Sequence, residues 1–280
     1  TTRLHEAWIE QFNRCDAVIV PSEFCQTIFD ASGVNCPIFK VPLGVDTKVF
    51  RPPQERNDRI VFGASGRTHM PGASVRKSIG TVLEAFSAAF PDDDGVLLEI
   101  KLSSKCTAPE TADPRITFFA EDWSEQKLAR WYGSLTAFIN TSHGEGFGLG
   151  MLESMACGTP IVSHLFSGPS DYLNASNCLV VPHELVPASG VYAGLGSWAS
   201  INFWTLADQL RVAAAGGEQM ARLAMDGYTT AQRFSWRETC GQIHRILKDV
   251  GVFEQPKPML PSGVPIGMLH GKMKAEEKER

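Results

Sequence analysis

Residues 143–162 read HGEGFGLGMLESMACGTPIV, a stretch in which two carboxylates, Glu145 and Glu153, stand among glycines and apolar residues. A carboxylate accepts two hydrogen bonds at once, which suits the vicinal hydroxyls of a sugar ring. Gly146, Gly148 and Gly150 let backbone amides approach an anion closely, and a helix beginning after them aims its positive end at the same place. An ordinary tight turn accounts for the glycines equally well. Their GxGxGxG spacing also follows a late strand, whereas the dinucleotide fingerprint opens the first βαβ unit.

Glu153 narrows the choice. LGMLESMACG reads as a helix over 149–158, closed by Gly158 before Thr159 and Pro160 restart a strand. The residues three and four positions from Glu153 are Gly150, Leu149, Ala156 and Cys157, so no intrahelical ion pair is available. Its carboxylate either points to water at a thin exposed edge or is buried with a hydrogen-bonding partner, because burying an unpaired charge is costly.

Such residues need a frame. Short, nearly all-apolar runs at 16–21, 37–45, 59–65, 95–102, 115–119, 135–140, 159–164 and 177–182 predict strands, and amphipathic patterns at 22–32, 79–90 and 124–133 predict helices between them. This alternation implies an α/β fold, a doubly wound parallel sheet with helices on both faces. Ligands bind outside the carboxyl ends of the strands of such a sheet, which is where Glu145 and the glycines fall.

FRPPQERND (50–58) interrupts the rhythm and reads as a linker between a leading piece, 1–49, and a Rossmann-like unit, 59–232. From Leu206 to Val250 the pattern is mostly helical, with Gly216 and Gly217 separating two helices and a closing helix over 233–250. Residues 251–280, with four prolines and a charged end, read as an extended tail.

The 280 residues are 43% apolar, enough for a sizeable core, and the formal net charge of −5 argues against a nucleic-acid partner. Seven scattered cysteines without a CxxC pair suggest reduced thiols and a cytoplasmic setting. No apolar run is long enough to span a membrane, so the expectation is a soluble chain or one associated peripherally with a membrane. A first residue of Thr rather than Met suggests a fragment.

At EGFGLGMLESMACGTPIV the chain resembles the retaining family 4 glycosyltransferases of the GT-B fold, whose signature is Glu, seven residues, then a second Glu. CDAVIVPSEF followed by VPLGVDTKVFRP is similar to the end of that family's first domain, and RFSWRETCGQIHRIL to its closing helix. The resemblance implies that the N-terminal, acceptor-binding domain is largely absent and that 1–49 is its remnant. It implies that Glu153 binds the ribose hydroxyls of a nucleotide-sugar and that Glu145 sits near the transferred hexose. The amides around Gly146, Phe147, Gly148 and Leu149 would meet sugar and diphosphate.

The family's GR…RKG pattern corresponds to Arg67 in SGRTH and Lys77 in VRKS, with extra residues between and Ser78 where Gly is usual. The residue facing the phosphates is therefore one of Arg67, Arg76 and Lys77. The implied reaction is sugar transfer with retention, without metal or cofactor, to a saccharide, lipid or protein acceptor. The alternative is a nucleotide-sugar-binding module or fragment without activity of its own.

Other candidates have plainer readings. Asp92, Asp93 and Asp94, between Pro91 and Gly95, read as a solvated turn rather than a DxD metal site. His143, beside Glu145, is a candidate ligand contact, and His164 reads equally as a structural residue. Trp198, Trp204 and Trp236 read as core or interdomain packing.

Overall fold

Alternating Val, Ile and Phe with few charges on either side put short parallel strands at the centre of the computed structural model, which describes residues 1–55, 58–66 and 76–251. The leading piece is α1 (Glu6–Phe12), β1 (Val18–Val20), α2 (Glu23–Ala31) and β2 (Ile38–Lys40), with β1 and β2 paired in parallel as a separate two-stranded sheet. The run expected to be a strand over 37–45 pairs only as far as Lys40. Pro42, which has no N–H for a ladder, and Gly44 follow.

The main unit follows as β3 (Ile60–Gly66), α3 (Ile79–Ala89), β4 (Val96–Leu102), β5 (Ile116–Ala120), α4 (Glu125–Ser134), β6 (Ala137–Asn140), α5 (Leu149–Ala156), β7 (Ile161–Ser163) and β8 (Cys178–Val180). Its six strands are all parallel, in the order β5-β4-β3-β6-β7-β8. The chain starts in mid-sheet at β3, winds outward to β5, then returns to β6 and winds out the other way. That is the doubly wound arrangement expected from the sequence.

Burial shows why both faces are covered. Phe62, Leu98, Ile100, Ala137, Ile139 and Val162 point into one core with Val82 and Phe86 of α3. Their strand neighbours Val61, Phe138 and Ile161 point into a second core with Trp131, Tyr132, Leu152 and Met155. Strict alternation between two apolar layers is the period-2 consequence of strand geometry.

Beyond β8 lies a feature not expected from the sequence, an antiparallel hairpin of β9 (His183–Pro187) and β10 (Ser197–Ile201). Three helices complete the described chain: α6 (Phe203–Ala215), α7 (Gly217–Ala231) and α8 (Trp236–Asp249). The last returns to the leading piece, where Thr239 Oγ1 donates to Pro42 O at 2.8 Å and Val45 N donates to Phe234 O at 3.1 Å.

Of the three tryptophans, Trp198 is 3% exposed, whereas Trp204 is 59% and Trp236 is 37% exposed. The packing expectation is therefore corrected for the last two. Each stands in the first turn of its helix, and Trp204 lies off the stripe of Leu206, Ala207, Leu210 and Ala213 that α6 buries. Asp92–Asp94 do form an exposed turn, in which the Asp93 carboxylate accepts from Gly95 N at 2.9 Å.

Candidate functional site

The strand order reverses between β3 and β6, so the loops leaving their carboxyl ends run apart and open a crevice between them. Residues 141–148, after β6, line one side. Arg76 and Lys77, which precede α3, line the other. Short polar side chains tie the two together. Thr141 Oγ1 donates to Lys77 O at 3.1 Å and to Ser78 O at 3.0 Å, and His143 N donates to Arg76 O at 2.8 Å. Ser78 is left-handed (φ 47°), which explains why a residue without a Cβ is the usual choice there.

These ties bring two cations onto one acid. Lys77 Nζ lies 2.5 Å and Arg76 Nη1 3.1 Å from Glu145 Oε1. Arg76 also donates to Gly144 O at 2.7 Å and Ser142 Oγ at 3.2 Å. Burial would by itself raise the Glu145 carboxyl, but Lys77, Arg76 and the hydrogen bonds from Lys77 and Ser142 hold it at about 2. Two positive groups against one negative leave the cluster with a net positive charge.

The glycine turn continues from this cluster into α5. Gly148 takes φ 85°, and a Cβ there would meet Tyr172 Oη at 2.9 Å, so only glycine fits. Tyr172 Oη donates to Gly148 O at 2.8 Å, fixing the turn. Neither α3 nor α5 has a side-chain N-cap, whereas α2, α4 and α8 are capped by Ser22, Ser124 and Ser235. The first-turn amides of α5 therefore remain available to an anion. Phe147 is buried against Tyr172 and Phe234, which leaves its backbone rather than its ring to face the crevice.

Several residues that hold the site carry no signal in a local pattern. Ser167, at φ 64° and 3% exposed, accepts from Glu145 N at 3.0 Å, and Gly168 N donates to Glu145 O at 3.0 Å. Ser22 of the leading piece donates to Gly146 O at 2.7 Å. His143 stacks on Trp198 of β10, with ring centroids 4.5 Å apart, and its Nδ1 lies 2.5 Å from Ala199 O. Burial, opposed by that backbone bond, lowers the His143 pKa. Its neutral Nδ1–H tautomer leaves Nε2 as an acceptor.

Of the residues expected from the sequence, Glu145, Arg76, Lys77 and His143 converge with the glycine turn, while Arg67 lies outside the described residues. Glu153 is half-buried, and the Tyr132 hydroxyl of α4 rests on the same helix, where a Cβ at Gly150 would lie 2.9 Å from it. Its partial exposure lies between the two alternatives drawn from the sequence.

A doubly wound parallel sheet with the glycine turn and two cations at its switch point defines an α/β domain of the Rossmann-like type. Residues 93–189 match the family described as glycosyl transferases group 1. A probable sucrose-phosphate synthase of Thermosipho melanesiensis is 30% identical over 159 residues, covering 52% of this chain and 37% of that protein. Among solved structures, sucrose-phosphate synthase from Thermosynechococcus elongatus aligns with TM-score 0.69 at 20% identity, over 88% of this chain and 61% of its own. Anabaena HepE in complex with UDP and glucose aligns with TM-score 0.66 at 16% identity, over 87% and 66%. Over residues 93–189 the chain is similar to group 1 glycosyltransferases. It spans about half or less of the length of the curated relatives it matches.

Proposed function

We propose that this chain binds the donor of a glycosyltransferase, a nucleoside-diphosphate sugar, and takes part in moving the sugar to an acceptor with retention of configuration and without a metal ion. The observation that carries this reading is the convergence of Arg76 and Lys77 on Glu145 beside the uncapped start of α5. Negative charge grows on the diphosphate as the glycosidic bond breaks, so fixed cations and amides placed there lower the barrier. In the same reading Glu153 grips the ribose, and the amides of Phe147, Gly148 and Leu149 meet sugar and diphosphate. Glu145 lies toward the hexose and holds the two cations in position. Retention needs no protein base, because the departing phosphate can take the acceptor proton on the same face of the sugar.

HepE was solved with UDP and glucose, which supports a donor of this class. A second reading is a donor-binding module that does not turn over by itself. Titration calorimetry with UDP, GDP and the parent nucleosides tests binding. A transfer assay with proton NMR of the product anomer tests the reaction. Equal affinity for nucleoside and nucleoside diphosphate would remove the phosphate site from the crevice, and an inverted product would exclude retention. Binding without turnover selects the module.

A further inference from the structure

We propose that Ser22 is a positioning residue: its hydroxyl reaches from the leading piece to the glycine turn and fixes the peptide between Gly146 and Phe147, so that the amides of the turn stay open to a diphosphate. The proposal rests on the reading above, in which those amides meet the donor.

The turn is held by its carbonyls. Glu145 O accepts from Gly168 N at 3.0 Å, Gly146 O from Ser22 Oγ at 2.7 Å and Gly148 O from Tyr172 Oη at 2.8 Å. By contrast, the amides of Gly146, Phe147, Gly148, Leu149 and Gly150 donate to no acceptor among the described residues. Successive unpaired N–H groups beside carbonyls that are already engaged form a concavity suited to an anion.

Of those three donors, Ser22 comes from outside the main unit, and it acts where the turn is most permissive. A peptide is planar and trans, so its C=O and N–H point in opposite directions. Ser22 draws Gly146 O towards the start of α2, which turns the Phe147 N–H of the same peptide away from α2. Among the described residues the other donor to that carbonyl is Cys25 Sγ at 3.5 Å, a weak one. Without the hydroxyl, a peptide that follows glycine can rotate and present a carbonyl where an amide is needed. Holding it beforehand spares the cost of ordering the loop on binding.

The hydroxyl is itself committed. Ser22 is 0% exposed, and its Oγ accepts from Cys25 N at 3.2 Å as the N-cap of α2, so its single proton is directed to Gly146 O. The start of α2 is in turn pinned to the main unit. Asp171 Oδ2, in the turn at Gly168–Asp171, accepts from Glu23 N at 2.9 Å. Lys40 Nζ lies 2.9 Å from Glu23 Oε2 and 3.7 Å from Asp171 Oδ2, and Phe24 packs edge-on to Phe166 with centroids 5.2 Å apart. Asp171 thus steadies the helix start that carries Ser22, and anything that displaces α2 also releases Gly146 O.

The test compares UDP with uridine, and GDP with guanosine, by calorimetry on the whole chain and on Ser22→Ala, Asp171→Ala and Asp171→Asn, with thermal unfolding of each. Ser22→Ala should lower diphosphate affinity roughly fivefold or more, the scale of one hydrogen bond, and leave nucleoside affinity within about twofold. Asp171→Ala should shift the ratio of the two affinities the same way, and Asp171→Asn, which keeps an acceptor for Glu23 N, should restore most of it. The Asp171 pair serves if Ser22→Ala does not fold. Lower thermal stability with an unchanged ratio overturns the proposal, as does an equal loss for diphosphate and nucleoside, since both mark a purely structural role. A chain that shows no preference for the diphosphate before any substitution instead refutes the donor reading, and this proposal with it.

Discussion

Lys77 Nζ lies 2.5 Å from Glu145 Oε1 although 68 residues separate them in the chain. The contact exists because β3 and β6 are neighbours at the switch point, so that the segment leading into α3 and the loop after β6 face each other. Arg76 reaches the same oxygen at 3.1 Å. Two adjacent cations repel, and a shared carboxylate offsets that repulsion while leaving a positive excess. In the proposed function a diphosphate would meet charges already in place, which is the condition for stabilising a transition state without reorganisation.

Replacing Lys77 with Ala should weaken nucleoside-diphosphate binding by roughly tenfold or more, the scale of one lost charge-assisted hydrogen bond. Affinity for the parent nucleoside should change little, because in the proposed function the lysine faces the phosphates. Calorimetry with UDP and uridine, and with GDP and guanosine, separates the two. A parallel loss for nucleoside and diphosphate would show that Lys77 only maintains the loop.

The Glu145 ion pairs make the fold sensitive to acid. Its carboxyl is depressed from an ordinary 4.5 to about 2, so the unfolded chain binds its proton first. The contribution is fully present above about pH 4.5 and is lost as pH falls through about 2, amounting to on the order of 3 kcal/mol. Glu145→Gln should remove this slope from denaturant unfolding measured between pH 5 and 2.5. It should also lower stability at pH 7, where Arg76 and Lys77 would face each other uncompensated. A variant with the parental acid slope would dissociate the effect from Glu145.

Much of the frame was legible because parallel strands buried on both faces leave dense apolar runs. Val96–Leu102 and Ile116–Ala120 appear within a residue of their expected ends. The hairpin of β9 and β10 was not, since HELVP is mostly exposed, SWASI is short, and Gly190, Gly194 and Gly196 lie between them. Glu145, Arg76 and Lys77 could be named from residue type and motif, but their meeting depends on strand order. Tyr132 sits in an unremarkable helical pattern, and only the packing of α4 against α5 shows what its hydroxyl touches. Ser167 is similarly hidden, because a serine at φ 64° is held there by its surroundings and not by its own preference.

His164 gives the fold a second, milder acid dependence. It is 2% exposed, its Nε2 donates to Ser142 O at 2.8 Å, and its Nδ1 is buried without a hydrogen-bond partner among the described residues. Burial pushes it down to about 4 from an ordinary 6.5, so it stays neutral where the unfolded chain is protonated. Stability should be complete above about pH 6.5 and decline by roughly 3 kcal/mol as pH falls through about 4. His164→Gln, neutral throughout, should flatten the curve between pH 6.5 and 4.5. An unchanged slope there would assign the dependence to other groups.

Gly168 should be among the least replaceable residues of the site. A Cβ at this position would lie 2.1 Å from Gly146 O and 2.4 Å from Gly146 C, both backbone atoms that no side-chain rotation can move. Relief requires separating residues 145–147 from 167–168, which breaks the bonds of Gly168 N to Glu145 O and of Glu145 N to Ser167 Oγ. Gly168→Ala should therefore cost about 1–3 kcal/mol in urea unfolding, the usual penalty for overpacking. Because the same movement draws Glu145 away from Arg76 and Lys77, nucleoside-diphosphate affinity should fall together with stability. Parental stability with parental affinity would mean that the two loops can part without disturbing the cations, and that Glu145 does not need Ser167 and Gly168 to hold it.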